Sequence, residues 1–223
     1  IISLTVTISL VVIGGFMVLE PQSASSATDT VNVSLTVDAE ITISQPSDVT
    51  LLNNIPGITG GTASGECTWT VRTNNNTGFT MTLKESDSAP ALVGQTQGDS
   101  FADYTEASSG TPDYNWSVAD SSAEFGFTVE PETSSDTVQK FLDDGSACNT
   151  GSTNGTDTCW DGFEGTTEIT VINRSSETDY TGEDEKVKFR AQLYNADGVP
   201  NNADGMLVED TYQATIIATV TMN

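Results

Sequence analysis

The sequence predicts a mainly β protein, an antiparallel two-sheet β-sandwich preceded by a single long hydrophobic N-terminal α-helix. Three observations lead there. Residues 1–19 carry no charged side chain. Beyond them, apolar and polar residues alternate with period two in segment after segment, the signature of half-buried strands. The stretches between are rich in Gly, Asn, Asp, Ser and Thr and show no helical period.

In chain order, the first element is the helix. Ile1, Ile2, Leu4, Val6, Ile8, Leu10, Val11, Val12, Ile13, Phe16, Met17 and Leu19 make it apolar nearly all round. At ~1.5 Å per residue it spans roughly 28 Å, close to the thickness of a bilayer core. Glu20 and Pro21 end it. The organisation is then helix at 1–20, small-residue linker at 21–30, and β domain at 31–223.

Within the β domain, Val31, Val33, Leu35, Val37, Ala39, Ile41 and Ile43 share one parity and predict one long strand or two joined by a kink. Cys67–Arg72 and Phe79–Lys84 flank Asn74-Asn-Asn-Thr-Gly, a hairpin signal. Tyr114, Trp116 and Val118 alternate, as do Phe125, Phe127 and Val129. Ile169 and Val171 follow, then Val187, Phe189, Ala191 and Leu193. Tyr212, Ala214, Ile216, Ala218, Val220 and Met222 form the last strand. Residues 131–165 break the rhythm and read as a surface insertion, with a short helix near Thr137–Leu142.

Of the three cysteines, Cys148 and Cys159 bracket a polar loop and predict a disulfide, and Cys67, alternating with Trp69 and Val71, predicts a buried thiol. Lys+Arg 7 against Asp+Glu 32 leaves a net charge of −25. Such a surface repels phosphate backbones, so no nucleic-acid partner is expected. Histidine is absent and no nucleophile elbow, zinc-protease or phosphate-loop motif occurs, so no enzyme activity and no cofactor are expected. Calcium is considered at oxygen-rich loops: Asp143-Asp144-Gly145, Asp179 to Glu185, and Asn195-Ala-Asp197-Gly with Asn201 to Asp210. None has the spacing of an EF-hand. Lys186, Lys188 and Arg190 form a basic stripe on the outward parity of one strand. It reads either as an edge strand blunted against aggregation or as a subunit contact meeting acidic loops of a neighbour.

The head of the chain supports two readings. In one, Ser25-Ser26-Ala27 is a small-residue cleavage site that leaves Thr28 as the mature start. An apolar strand such as Thr30–Ser44 would then complete a neighbour's sheet. In the other, the apolar helix is retained. With Gly14 and Pro21 at or next to positions where pilin helices carry these residues, the first twenty-odd residues resemble type IV pilins and related archaeal filament proteins. Thr5 departs from the Glu that bacterial pilins usually carry there. The β domain is similar to secreted surface proteins of small bacteria, through Ala27–Ile43 and the Thr211–Thr221 ending. The resemblance implies a structural subunit of an extracellular, cell-surface, pilus-like filament. Subunits would leave the membrane before assembly, pack their helices in a homopolymer core and hold acidic β domains outside. A membrane-tethered adhesin that binds a cell-surface or polysaccharide ligand is the remaining alternative.

Overall fold

The computed structural model describes residues 26–194 and 207–223. The helix expected at residues 1–20 lies outside the described residues, as does the oxygen-rich stretch at 195–206. The chain divides into two units, Ile1–Val37 and Asp38–Asn223. In the first, residues 26–37 carry neither helix nor strand and are solvent-exposed throughout.

The second unit is mainly β. Its strands are β1 (Ile41–Ile43), β2 (Gly61–Thr73), β3 (Phe79–Glu85), β4 (Leu92–Gly94), β5 (Ser100–Asp103), β6 (Ser122–Val129), β7 (Ile169–Arg174), β8 (Glu183–Tyr194), β9 (Tyr212–Gln213) and β10 (Ile216–Met222). They form a seven-stranded sheet in the order β1-β2-β8-β6-β5-β4-β9 and a three-stranded sheet in the order β10-β3-β7. Pairing is antiparallel except between β5 and β6, which run parallel. The two sheets share one apolar core, in which Val71, Phe79, Met81, Leu83, Phe127, Val171 and Val187 are almost wholly buried. Period-two alternation places these residues on one face of each strand, which is why the burial pattern was readable. Truncating a residue such as Phe127 to Ala would cost about 3–5 kcal/mol.

Several local expectations are corrected. The alternation at Val31–Ile43 yields a strand only at Ile41–Ile43. The Asn74–Gly78 segment does not close a hairpin. Both neighbours of β2 are β1 and β8, and both neighbours of β3 are β10 and β7, so the turn crosses between sheets. The end of β2 is tied instead to the chain before β1: the Thr73 hydroxyl donates to the Glu40 carbonyl at 2.7 Å, and the Asn74 amide to the Asp38 carbonyl at 3.0 Å. Tyr114–Val118 forms no strand; Trp116 stacks on Tyr104 with ring centroids 4.3 Å apart.

The 131–165 insertion is more than a surface excursion. It contributes Phe141, Cys148, Cys159 and Phe163 to the main core. Trp160, fully buried, joins Tyr104, Val118 and Trp116 in a second, smaller cluster. Its helical content is two single 3₁₀ turns, Ser134–Asp136 and Gln139–Phe141.

Candidate assembly interface

Residues 31–37 present an apolar stripe to solvent. Val31, Val33, Leu35 and Val37 are 84, 90, 88 and 75% exposed. Side chains two residues apart on an extended chain point the same way, so the four would line one side of a strand. Together they expose on the order of 450 Å² of apolar surface, worth about 11 kcal/mol gross at ~25 cal/mol per Å² if buried. An apolar stripe of about that size is comparable to the largest exposed patches of ordinary monomers, which are often functional.

The second unit has a matching deficiency. The outer edge of β7 is covered: Thr137 bridges Ile172, and the Val138 N–H donates to the Val171 carbonyl at 3.1 Å. The outer edge of β10 has no strand partner among the described residues. The Ser86 N–H donates to the Thr215 carbonyl and the Asn223 N–H to the Gly78 carbonyl. Odd-numbered residues of β10 therefore spend their backbone groups on β3, and Ile216, Ala218, Val220 and Met222 turn theirs to the free edge. The sequence of this strand, Ile-Ile-Ala-Thr-Val-Thr-Met, contains no charge and no proline. It therefore lacks two of the usual side-chain devices that prevent an edge from recruiting another chain, although β1 lies close beside it. The core is thin on the same flank. Ile41, Ile216, Ala218 and Val220 pack against it but stay only partly buried, while Phe79, Met81 and Leu83 on the adjacent β3 are fully covered.

The disulfide expected from the sequence is present: Cys148 and Cys159 are bonded. Cys67 is a free, buried thiol, and burial pushes it up to about 12. The stripe of Lys186, Lys188 and Arg190 lies on β8, which sits between β2 and β6 and is not an edge strand. Its charges meet acids of the same chain. Lys186 Nζ lies 2.6 Å from Glu130 Oε2, and Lys188 Nζ lies 2.6 Å from Asp157 Oδ1. The Arg190 guanidinium sits 4.1 Å from the Trp160 ring centroid.

The oxygen-rich loops considered for calcium hold their carboxylates in backbone turns. Asp143 Oδ1 accepts from the Gly145 N–H and Oδ2 from the Gly155 N–H, both at 2.8 Å. Asp179 accepts from Thr181 and Gly182, and Asp210 from Thr96 and Gln97. Asp144 accepts from the Ser146 hydroxyl and from the Ser146 and Ala147 N–H groups, and such hydrogen bonds hold Asp144, Asp179 and Asp210 below the usual carboxylate range. Glu85, which no motif singled out, is the opposite case: it is buried and neither of its carboxylate oxygens has a hydrogen-bond partner. The available signal was its parity, as the fourth inward position of β3 after Phe79, Met81 and Leu83.

The twelve apolar residues expected to form an assembly helix, Ile1 through Leu19, lie outside the described residues. Among the described residues no helix is long and apolar enough to cross a membrane. No family model matches the chain, and no curated protein matches it.

Proposed function

We propose that this protein is the structural subunit of an extracellular filament whose copies join by strand donation. Residues 31–37 of one copy add to the free edge of β10 in the next, extending its three-stranded sheet and completing the thin flank of its β-sandwich. The observation that carries this reading is the pairing of a surplus with a deficit. Four large apolar side chains sit in solvent at strand spacing, and an uncharged edge strand has, among the described residues, no hydrogen-bonded strand on one side, beside a partly covered core. Main-chain hydrogen bonds would supply affinity, and the side chains at 31, 33, 35 and 37 would supply register.

Other features agree with an exported polymer. A disulfide is at home in an oxidising compartment. A net charge of −25 makes copies repel, so joining them needs a local apolar contact and enough salt to shorten the range of repulsion to about 8 Å or less. Helix-core assembly remains the alternative for residues 1–20, which are not described; strand donation is preferred because its two halves are.

The test compares the full chain with its Leu35→Asp form by electron microscopy and size-exclusion chromatography in 0.15–0.5 M salt. Residue 35 is exposed, so the variant should keep the wild-type melting temperature yet remain monomeric where the wild type forms filaments. A wild type that stays monomeric at high salt, or a variant that still polymerises, overturns the proposal.

A further inference from the structure

We propose that Lys140 Nζ and Asp161 Cγ condense into an intramolecular amide, a covalent cross-link across the 131–165 insertion, with Glu106 as the proton carrier. The link forms within one copy, so it is independent of whether copies join.

The two reacting groups are held in contact. Lys140 Nζ lies 2.5 Å from Asp161 Oδ2, and the carboxyl carbon is the next atom beyond that oxygen. Lys140 sits in the 3₁₀ turn Gln139–Phe141, and its carbonyl accepts from the Asn149 N–H at 3.2 Å. The Asp161 N–H donates to the Phe127 carbonyl at 2.9 Å and its carbonyl accepts from the Phe127 N–H at 3.0 Å, which fastens it to β6. Water is largely shut out. The Asp161 side chain is 5% exposed, the most buried of the lysine partners among the described residues. Lys140 Nζ lies 4.9 Å from the Phe141 ring centroid, and Trp160, next to Asp161 in the chain, is fully buried.

A third group completes the site. Glu106 Oε1 accepts from the Gly162 N–H at 2.7 Å, which sets a second carboxyl beside Asp161. Gly162 makes this approach possible, because a Cβ there would overlap the Tyr104 carbonyl oxygen. By contrast, Lys188 and Lys84 pair with Asp157 and Glu168, whose side chains are 44 and 49% exposed, so those contacts stay solvated ion pairs.

Burial pushes Asp161 up to about 7 even with the Lys140 cation beside it, and Glu106 adds to the rise. Near neutral pH the ammonium therefore hands one proton to Asp161, giving a neutral amine and a carboxylic acid. The amine lone pair attacks Cγ and the C–N bond forms. Glu106 takes a proton from the nitrogen and returns it to the hydroxyl oxygen, which leaves as water when the C–O bond breaks. The sum converts one ammonium and one carboxylate into one amide and one water, with no oxidant, reductant or co-reactant. In open water the reaction is opposed by the lost solvation of two charges. Here the carboxylate is already desolvated, and fixed contact replaces a chance encounter. The Cys148–Cys159 disulfide lies inside the segment that the amide closes, so the insertion carries two nested staples.

The test is intact mass spectrometry of the reduced, denatured full chain after prolonged incubation of the folded protein at pH 7, followed by peptide mapping. Wild type, Lys140→Arg, Asp161→Ala and Glu106→Gln are compared, each checked for folding by near-ultraviolet circular dichroism. Wild type should be lighter than its sequence by one water and yield a peptide joining residues 140 and 161. Lys140→Arg and Asp161→Ala should keep the full sequence mass, and Glu106→Gln should form the link about 100-fold more slowly. Should Asp161→Ala fail to fold, Lys140→Arg decides alone. A wild type at full sequence mass would overturn the proposal. So would a water loss that persists in Lys140→Arg, which would mark a succinimide at Asp161-Gly162 instead. Linking in Glu106→Gln at the wild-type rate would overturn the proton-carrying role.

Discussion

Asp157 Oδ1 lies 2.6 Å from Lys188 Nζ and 3.2 Å from Arg190 Nη2, so one loop carboxylate holds two cations of the central strand β8. The Asp157 backbone is held too: its N–H donates to Glu130 Oε1 at 3.0 Å, and its carbonyl accepts from Trp160 Nε1 at 3.0 Å. Glu130 in turn pairs with Lys186. The basic stripe thus anchors the chain's own insertion over the outer face of the seven-stranded sheet, with Arg190 lying over the Trp160 ring.

Asp157→Ala should loosen this insertion without unfolding the protein. Asp157 is partly exposed, which limits the loss to about 1 kcal/mol. Arg190→Ala should cost more, about 1–2 kcal/mol, because its contact with the buried Trp160 goes as well. Urea unfolding followed by tryptophan fluorescence would check both. Equal losses in the two variants would mean that the ring contact contributes nothing.

Reducing the Cys148–Cys159 bond, or replacing both residues with Ser, should destabilise the folded chain by about 2–3 kcal/mol, given the short loop it closes. The insertion should become the first site of proteolysis. Limited digestion of oxidised and reduced protein would show this, and identical cleavage patterns would contradict it.

Cys67 should resist alkylation in the native state. It is buried, its thiol is pushed up to about 12, and a thiolate is needed for reaction. Iodoacetamide labelling across a urea gradient should follow the unfolding curve. Full labelling in buffer alone would place the thiol at the surface.

Stability should fall as pH rises from about 4.5 to 8. Burial raises Glu85 and Glu185 to about 8 and, where it is unlinked, Asp161 to about 7. A raised carboxyl binds more protons folded than unfolded, so its contribution is complete below the unfolded value near 4.5 and is lost as pH climbs through the folded one. The hydrogen-bonded Asp144, Asp179 and Asp210 act oppositely, their contribution disappearing as pH falls below about 4. The melting temperature should therefore peak near pH 4–5.5 and decline toward pH 8.5, with a shallower decline in Glu85→Gln. A profile that rises between pH 5.5 and 8.5 would contradict the burial of these groups.

Which face of each strand meets the core was legible from sequence, because Phe125, Phe127 and Val129, or Val187 to Leu193, alternate strictly; that Gly126 and Thr128 on the other face of β6 are buried too, against Asp161 and Thr158 of the insertion, was not. Strand partners were not. The Asn74–Gly78 turn has hairpin composition, yet the strands it joins belong to different sheets, and that choice is made by residues far away on β8, β7 and β10. Tyr114–Val118 mimics a strand because ring stacking and burial of Val118 produce the same alternation without a ladder. The basic stripe was visible, but its partners Glu130 and Asp157 depend on how the insertion folds back. At Val31–Val37 the pattern predicts a strand, either of this subunit or completing a neighbour's sheet. The alternation is real, and the partner strand is missing from the same chain's described residues.

The most direct measurement joins, by oxidation, two populations of chains that each carry one added cysteine. Chains carrying Leu35→Cys are mixed with chains carrying Ile216→Cys, Ala218→Cys or Val220→Cys, with Cys67 and the native disulfide left in place. Strand donation predicts a covalent dimer between residue 35 of one copy and one of the three β10 positions of another, identified by mass spectrometry of the linked peptides. Absence of any such intermolecular link in assembled material would contradict it.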